Sequence, residues 1–445
     1  MLQSRRNSDG EKKWLFLLMR MGLKDFWIGL QKEQEIKNSD QIFDMLKNLD
    51  VYRETRGWKR PIHVSKALLA KNYLKLLPNV EVIGITGSVG KTLTQNAIYA
   101  VLSQKYKIVV GDENLDPTFR IPQTILKTKP WDQKIILEYG VEHPGDMDYY
   151  LSIVKPKIAV VTAITPTHIK YFTNVEGVFK EKLKLVKALG KNDYAVLNSD
   201  DPYCQKMAKL TKARIKWFGK SATNAVKISA FQQNLQGSKF RLSYKGQKEP
   251  VSWKIIGEHQ LLSAYAALTV GIIEGMTINQ IAKGLSTTQV PVHRLNVISV
   301  GKMSILDDTY NSSPAAAKEA ANTLIALGQH KTKIAVFGDM KDLGGLSKEA
   351  HQNLGKTIAA SNINILVTIG KEADTIAKAA KNFSFKGKII IAKGVRGIND
   401  SICKLKMDDS VILIKGSRHA HLERLVFALQ GKPAAINCYH CGVLA

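Results

Sequence analysis

Cysteine is scarce in this sequence, which excludes a fold that depends on disulfides. Only four cysteines occur in 445 residues, namely Cys204, Cys403, Cys438 and Cys441, whereas disulfide-stabilised domains carry many in a short chain. Cys438 and Cys441 form a single C-x-x-C pair, without the second pair that a structural zinc site needs. We therefore interpret them as an incidental pair of reduced thiols in a C-terminal tail.

Long apolar runs are also missing, so the sequence offers no segment that would cross a bilayer. Residues 14–19 are apolar, but Arg20 interrupts them and no small-residue cleavage site follows, which argues against a signal peptide. We expect a cytoplasmic location. Residues 14–27 have the pattern of a basic amphipathic helix, and we interpret this helix as packed on its own domain or on a partner. Contact with a membrane surface is the alternative.

Acidic residues are outnumbered, since there are 38 of them against 65 lysines and arginines, and the net charge is +27. The basic residues are spread along the whole chain, and no DNA- or RNA-binding signature accompanies them. We therefore predict a solvated basic surface suited to anionic small molecules, with no nucleic-acid partner. The length and the hydrophobic fraction of 44% are typical of a globular protein of two or three domains, and we expect a monomer.

The feature around which the chain is organised lies at residues 82–92, with the sequence Val-Ile-Gly-Ile-Thr-Gly-Ser-Val-Gly-Lys-Thr. An apolar strand leads into a glycine-rich turn and then a helix, an arrangement that binds phosphates on backbone N–H groups and a helix N-terminus. In such a loop the Lys91 ammonium reaches the outer phosphates and the Thr92 hydroxyl binds Mg²⁺. Ile85 stands where the general P-loop pattern has its first glycine. The ATP-binding backbone is predicted to come from Gly87, Ser88, Val89 and Gly90.

Hydrophobic periodicity predicts an α/β fold. From residue 81 to 198, short apolar runs alternate with helical patterns, which predicts a mostly parallel sheet covered by helices. Its strands are predicted at 82–86, 108–111, 135–138, 158–162 and 194–198. Residues 215–256 alternate with period two, which predicts an attached antiparallel meander. A second α/β series follows residue 294, with strands predicted at 303–307, 334–338, 365–369, 389–392 and 411–414.

The predicted domain organisation follows from these patterns. It comprises a basic helical N-terminal region at 1–78, a central P-loop ATPase domain at 79–296, a C-terminal α/β domain at 297–432 and a tail at 433–445. Within the first region, residues 64–77 are predicted to form a helix that leads into the first strand. The C-terminal domain is Rossmann-like, although it lacks the Gly-x-Gly-x-x-Gly pattern of dinucleotide binding.

Two polar residues follow strands of the predicted central sheet. Glu138 closes the strand at 135–138, where a carboxylate is well placed to bind the magnesium of a nucleotide. His168 lies in the loop after the strand at 158–162. Taken alone, Glu138 could equally be a solvated strand end, and His168 a structural loop histidine.

Several motifs together resemble the Mur ligase family. In chain order the first are Thr86-Gly-Ser-Val-Gly-Lys-Thr92, Asn114, Glu138-Tyr-Gly-Val-Glu-His-Pro-Gly145, His168, Lys182 and Asn198-Ser-Asp-Asp201. Further on they are Gly257-Glu-His259, Arg294, Asp307-Asp-Thr-Tyr-Asn-Ser-Ser-Pro314, Gly338-Asp-Met-Lys-Asp-Leu-Gly344 and Lys415-Gly-Ser-Arg418. The resemblance covers residues 80 to 430 and is closest to the branch that adds D-alanyl-D-alanine to a UDP-N-acetylmuramoyl tripeptide.

The resemblance implies ATP- and Mg²⁺-dependent amide-bond formation through an acyl phosphate, in peptidoglycan precursor synthesis. It implies that Lys91 and the 87–90 backbone bind the β- and γ-phosphates, that Thr92 and Glu138 bind one Mg²⁺, and that His168 binds a second. Lys182 corresponds to a carbamylated, metal-binding lysine; a surface lysine in a lysine-rich helix is the alternative. The other implied contacts are His259 on the adenine side, Asp308 with ribose, Arg294 with phosphates and, for substrates, Asn114, Tyr310, Asn311, Lys415, Ser417 and Arg418.

The sequence departs from the family pattern at several positions. Gln260 and Ser263 replace asparagines on the adenine side, Arg120 and His293 replace glycines, and Asp342 replaces a glutamate. Residues 1–78 do not resemble the usual UDP-binding domain. Two alternatives therefore stay open. One is another ligase of the superfamily acting on a different carboxylate, and the other is an ATP-binding scaffold without ligase activity that acts through its N-terminal helix at the membrane.

Overall fold

The computed structural model describes residues 60–112, 116–221, 225–393 and 409–432. The segment at 14–27, Asn114, Cys403 and the Cys438/Cys441 pair lie outside these residues. The chain divides into two compact units, Met1–Leu69 and Ala70–Ala445. Helix α1 (Arg60–Lys75) confirms the helix predicted at 64–77. Within the described ranges, no helix is both long enough and apolar enough to cross a membrane.

The central sheet is parallel throughout and has six strands in the order β2-β3-β1-β4-β5-β6. Its strands are β1 (Glu81–Thr86), β2 (Ile108–Val110), β3 (Lys134–Glu138), β4 (Ile158–Val161), β5 (Tyr194–Asn198) and β6 (Arg214–Phe218). The first five confirm the predicted strands. The sixth was missed, because its alternation of exposed and half-buried residues is that of an edge strand and resembles the meander that follows it.

Helices connect and cover these strands. They are α2 (Lys91–Leu102), α3 (Pro117–Lys127), α4 (Asp146–Ile153), α5 (Ile169–Phe172), α6 (Val175–Lys187), α7 (Pro202–Ala208), α8 (Leu261–Ile273) and α9 (Ile278–Ser286). Ile83 and Ile85 of β1 pack in one hydrophobic core with Ile98 and Val101 of α2 and with apolar residues of α8 and α9. Parallel strands buried on both faces require such continuous apolar runs.

The amino ends of the central strands are joined by a buried cluster of charges. Lys134, the first residue of β3, donates to the Glu274 carboxylate at 2.6 Å and to the Glu81 carboxylate at the start of β1. Only 6% of the Lys134 side chain is exposed, so the ammonium depends on these two partners in place of water. The cluster ties β1 and β3 to the end of α8.

The predicted meander is confirmed as a three-stranded antiparallel sheet, β7 (Val226–Asn234), β8 (Gly237–Tyr244) and β9 (Gln247–Trp253). Its inner face carries alternate apolar residues, among them Phe240, Leu242, Val251 and Trp253, which belong to the same core as β1 and α2. Period-two burial of this kind is expected for a sheet with one solvated face.

The C-terminal sheet has the order β10-β11-β15-β12-β13-β14, and only the β10–β11 pair is antiparallel. Its strands are β10 (Asn296–Val300), β11 (Met303–Asp308), β12 (Thr332–Gly338), β13 (Ile365–Ile369), β14 (Lys388–Ala392) and β15 (Ser410–Lys415). Its described helices are α10 (Pro314–Leu327), α11 (Ser347–Ala359), α12 (Asp374–Asn382) and α13 (Glu423–Leu429). Five predicted strands are confirmed. β10 was missed, although the hairpin turn at Gly301, with φ 58°, is a recognisable signal.

The loops at the carboxyl ends of the two large sheets meet. The loop after β12 contacts the loop after β4, where the Lys170 N–H donates to the Asp342 carbonyl at 3.2 Å. Because ligands of parallel sheets bind at the carboxyl ends of the strands, this contact places the candidate site between the two sheets.

Candidate functional site

The P-loop follows β1 directly and is held by hydrogen bonds to the residues after β4. The Ser88 N–H donates to the Ala163 carbonyl at 2.7 Å, and the Thr162 hydroxyl donates to the Val89 carbonyl at 2.6 Å. Gly87 has φ 146° and Gly90 has φ 78°, values in the region that favours glycine. The loop is thus held in a shape that leads directly into the N-terminus of α2, as phosphate binding requires.

Lys91, the first residue of α2, lies over this loop. Its Nζ atom donates to the Gly87 carbonyl at 3.0 Å. Burial lowers the pKa of Lys91, and the nearby Glu138 carboxylate opposes that shift. The ammonium therefore lies in a poorly solvated position beside the phosphate-binding backbone, where its charge has a strong effect.

Glu138 lies at the end of β3 among several cations. Burial disfavours its charged form, but the positive charges of Arg120, Lys91 and Arg294 outweigh burial and lower the pKa of Glu138, and the Thr92 hydroxyl acts in the same direction. Its Oε1 atom is buried and accepts no hydrogen bond of good geometry from any residue that the structure describes. A buried acceptor without a partner is costly, so this oxygen fits a ligand that the site would bind, such as a metal ion.

The described residues contain no cluster of three or more histidine, cysteine, aspartate or glutamate side chains that would hold a metal ion by themselves. Mg²⁺ bound with a nucleotide uses one or two carboxylates and completes its shell with phosphates and water. Thr92 and Glu138 are a donor set of that type.

Lys182 is buried in α6 with only 2% of the residue exposed, so its interpretation as a surface lysine is wrong. Burial lowers its pKa well below the ordinary value, and the Lys91 charge acts in the same direction. Glu181 and Asp146 lie close enough to oppose the shift. A lysine that favours its neutral amine is chemically suited to react with carbon dioxide.

Backbone N–H groups donate hydrogen bonds to the two carboxylates near Lys182, those of Glu181 and Asp146. Glu181 accepts the Gly145 and Met147 N–H groups at 3.1 and 2.9 Å. Asp146 accepts the N–H groups of residues 142 and 143, both at 2.8 Å, yet burial raises its pKa to about 6. These bonds fix the loop between β3 and α4 against α6, so that Glu138 and Lys182 belong to one connected region.

His168 is linked to the P-loop through the loop that follows β4. The Ser88 hydroxyl donates to the Thr165 carbonyl at 2.9 Å, and the Thr167 hydroxyl donates to Ser88 Oγ at 3.2 Å. His168 itself has φ 53° at the start of α5. Its Nδ1 atom lies 3.8 Å from Asp342 Oδ2, which brings the C-terminal loop to the same site.

The C-terminal candidates form two groups. The guanidinium carbons of Arg294 and Arg418 lie 4.0 and 5.0 Å from the centre of the Tyr310 ring, which is a cation–π arrangement. Lys415 Nζ donates to Asp308 Oδ2 at 2.6 Å and to the Asn311 carbonyl at 2.8 Å. Lys415 is therefore buried inside this loop region. The Ser417 hydroxyl oxygen is also buried and has no hydrogen-bond partner within the described ranges.

The two residues on the proposed adenine side, His259 and Ser263, contact different parts of the protein. His259 Nδ1 is 4.0 Å from Glu319 Oε2, and burial lowers the pKa of His259. The Ser263 hydroxyl instead lies 2.9 Å from the Thr94 hydroxyl of α2. Ser263 thus contributes to the contact between α8 and α2, and its hydroxyl is engaged there.

Two departures from the family pattern have clear positions in the structure. His293 has φ 59°, a backbone conformation that favours glycine, and its Nδ1 lies 2.7 Å from Asp307 Oδ2. The Asp307 hydrogen bond raises the pKa of His293. Arg120, which the sequence analysis identified only as a departure from the family pattern, is buried with its Nη2 atom 3.2 Å from Glu138 Oε2. No sequence signal predicted that contact, because the two residues are 18 positions apart and lie on different elements, α3 and β3.

The P-loop glycines give a matched pair of substitutions. A Cβ at Gly87 would lie 1.9 Å from Thr162 Oγ1, whereas a Cβ at Gly90 would meet nothing within 4 Å. We expect Gly90→Ala to weaken nucleotide affinity by about tenfold, since a left-handed conformation costs a non-glycine residue about 1–2 kcal/mol. Gly87→Ala adds a steric clash and should weaken affinity further, measured by titration calorimetry. Equal affinities in the two variants would contradict the observed loop geometry.

Comparison with known proteins gives consistent matches. The family model described as Mur ligase middle domain matches residues 85–271, and the model described as Mur ligase, glutamate ligase domain matches residues 293–418. The UDP-N-acetylmuramoyl-tripeptide–D-alanyl-D-alanine ligase of Bacillus subtilis is 30% identical over 366 residues, covering 82% of this chain and 79% of that protein. The Escherichia coli ligase of the same name is 27% identical, covering 78% and 76%.

Solved structures agree with these relatives. The crystal structure of MurF from Acinetobacter baumannii matches with a TM-score of 0.77 and 26% identity, covering 83% of this chain and 81% of that one. The structure of MurF ligase from Thermotoga maritima in complex with ADP matches with a TM-score of 0.74 and 25% identity, covering 83% and 84%.

Proposed function

The chain belongs to the Mur ligase family, and we propose on this premise that it joins D-alanyl-D-alanine to a UDP-N-acetylmuramoyl tripeptide during peptidoglycan precursor synthesis. The observation that most strongly supports this is the cluster of Lys91 with the buried Glu138 and Lys182 beside the P-loop, in a chain that aligns with ligases of this name over 82% of its length. We infer further that it acts as a monomer in the cytoplasm.

ATP is the proposed phosphoryl donor. The Thermotoga maritima ligase was solved with ADP, and the P-loop geometry supports nucleotide binding here as well. Lys91 and the 87–90 backbone would bind the β- and γ-phosphates, while Arg294 adds a second positive charge near Glu138. We infer that His259 lies on the adenine side and that Asp308, held by Lys415, contacts the ribose.

Magnesium fits the residues of the site. Thr92 and Glu138 would hold one ion, and His168 and a carbamylated Lys182 would hold a second. When bound, such ions neutralise phosphate charge and so favour phosphoryl transfer. The unpartnered Oε1 of Glu138 and the depressed pKa of Lys182 support these assignments independently of each other.

The proposed reaction has two steps. A carboxylate oxygen of the tripeptide attacks the γ-phosphorus of ATP, forming an acyl phosphate and releasing ADP. The amine of D-alanyl-D-alanine then attacks the acyl carbon, loses a proton, and releases phosphate as the amide forms. Catalysis of the first step depends on positioning and charge neutralisation, which Lys91 and Arg294 supply from this chain.

The amine substrate is proposed to bind on the C-terminal side of the site. Arg418, stacked on the Tyr310 ring, offers positive charge to the dipeptide carboxylate. Asn311, Lys415 and Ser417 complete that side, and Asn114 belongs to the proposed substrate contacts of the central domain. We propose the domain limits 1–78, 79–296, 297–432 and 433–445 for this architecture.

A substrate-pair assay of phosphate release tests the proposal. With ATP and Mg²⁺, release should require both a UDP-N-acetylmuramoyl tripeptide and D-alanyl-D-alanine. Release with another carboxylate or amine in place of this pair would instead identify a different ligase of the superfamily. ATP binding without phosphate release for any substrate pair would instead support an ATP-binding scaffold without ligase activity.

A further inference from the structure

Arg120 on α3 is a buried cation without a part in the mechanism above. Its side chain is 5% exposed, and that of its partner Glu138 is 6% exposed. Arg120 Nη2 lies 3.2 Å from Glu138 Oε2, and Nη1 donates to the Asp112 carbonyl at 3.4 Å. The guanidinium is therefore held from two sides while it engages one oxygen of the carboxylate.

The second oxygen of Glu138 is in a different situation. Oε1 is buried and, among the described parts of the chain, no group donates a hydrogen bond of good geometry to it, although Lys91 and Arg294 lie close enough to influence the carboxylate. Lys91 instead donates to the Gly87 carbonyl. Arg120 thus engages Oε2, while Lys91 donates to the phosphate-binding loop and leaves Oε1 available to the site.

We propose that Arg120 is a positioning residue that holds Glu138 through Oε2 and so presents Oε1 as a single, fixed ligand to the magnesium ion of the bound nucleotide. The inference rests on the proposed function. Carboxylates that bind metal ions are commonly oriented by hydrogen bonds from neighbouring residues. Mg²⁺ demands near-ideal octahedral geometry, so a carboxylate fixed in one orientation binds it better than one that rotates.

A direct contact between Arg120 and a phosphate is the competing role, and nucleotide binding separates the two. A cation that contacts phosphate strengthens nucleotide binding with or without Mg²⁺. A residue that orients a metal ligand strengthens only the part of the affinity that depends on Mg²⁺. The useful quantity is therefore the ratio of the dissociation constants without and with Mg²⁺, for an ATP analogue with a β,γ-methylene bridge.

The experiment measures that ratio by titration calorimetry on the full chain, in EDTA and in excess MgCl₂. Arg120→Met should reduce the ratio by about 10- to 100-fold and leave the affinity in EDTA unchanged. Arg120→Lys, which keeps the charge but not the planar fork, should restore part of the ratio. Arg214→Met, which removes an exposed arginine of β6, is the matched control and should leave the ratio unchanged.

Gly111→Ala tests the geometry without removing the charge. A Cβ at Gly111 would lie 2.5 Å from Arg120 Cγ and 2.5 Å from Thr124 Oγ1, so the methyl group should displace the arginine side chain together with the threonine hydroxyl. We expect this variant to lower the ratio as Arg120→Met does, with unchanged affinity in EDTA. This result would separate displacement of Arg120 from the loss of a buried charge.

Two outcomes would overturn the inference alone. One is an affinity that neither Arg120→Met nor Gly111→Ala changes in EDTA or in MgCl₂, and the other is an equal loss of affinity under both conditions, which would make Arg120 a phosphate contact. If the unsubstituted protein binds the analogue equally well with and without Mg²⁺, the proposed magnesium site fails together with the inference. That failure is recognisable before any variant is made.

Discussion

Replacement of Lys91 by methionine should abolish substrate-dependent phosphate release, with kcat lower by about 10³-fold or more. The ammonium lies 3.0 Å from the Gly87 carbonyl, in a poorly solvated position near Glu138, where its charge has a strong effect on a phosphate. Methionine keeps the length and the apolar stem of the side chain, and it therefore isolates the loss of charge. Phosphate release with the substrate pair is the measurement.

Lys206→Met is the matched control for this substitution. Lys206 lies on the exposed face of α7, far in sequence from the P-loop, and its variant should keep the activity of the unsubstituted protein. Both variants should unfold at similar temperatures, because α2 keeps its packing against the core. Near-normal turnover in Lys91→Met would show that the loop does not bind the transferred phosphate.

Lys182→Ala should lower activity by about 100-fold or more if the lysine carries a carbamate that binds metal. Because burial favours the neutral amine of Lys182, the side chain can react with carbon dioxide at a pH where an exposed lysine is protonated. The carbamate would supply an anionic oxygen ligand, which an added short carboxylate such as acetate or formate can replace. We therefore expect partial recovery of Lys182→Ala with these acids.

Carbon-13 spectroscopy gives a readout of this modification that does not depend on turnover. After equilibration with ¹³C-labelled carbon dioxide, the unsubstituted protein should show a carbamate signal that Lys182→Ala lacks. Lys180→Ala, which removes an exposed lysine of the same helix, should keep both the signal and the activity. Full activity of Lys182→Ala without added acid would exclude a catalytic modification at this position.

The strands of both sheets could be predicted because each is a short, continuous apolar run. The run at 82–86, for example, lies between polar residues and enters a glycine-rich turn, and β1 follows it within one residue. Two of the four edge strands, β6 and β10, were missed, because polar residues interrupt their apolar positions and both are partly exposed. The edge strands β2 and β14 each carry an uninterrupted apolar run and were predicted.

The types of residue in the site could also be predicted, but not their partners. Glu138 was recognisable as a polar residue at a strand end, and Lys415 as part of the motif Lys415-Gly-Ser-Arg418 that resembles the family. That Glu138 meets Arg120 and Lys415 meets Asp308 depends on how α3 and β11 pack beside those strands. Such contacts arise from the tertiary arrangement of distant segments, which periodicity and local motifs do not encode.

The cluster of Lys134, Glu81 and Glu274 has an evolutionary consequence. It fastens the amino ends of β1 and β3 to the end of α8, at the edge of the sheet opposite the P-loop. Substitutions in the loops at the carboxyl ends of the strands can therefore accumulate, because this charged cluster and the apolar strands stabilise the sheet independently of those loops. Proteins with this architecture can thus change their acyl or amine substrate through loop substitutions while the fold stays the same.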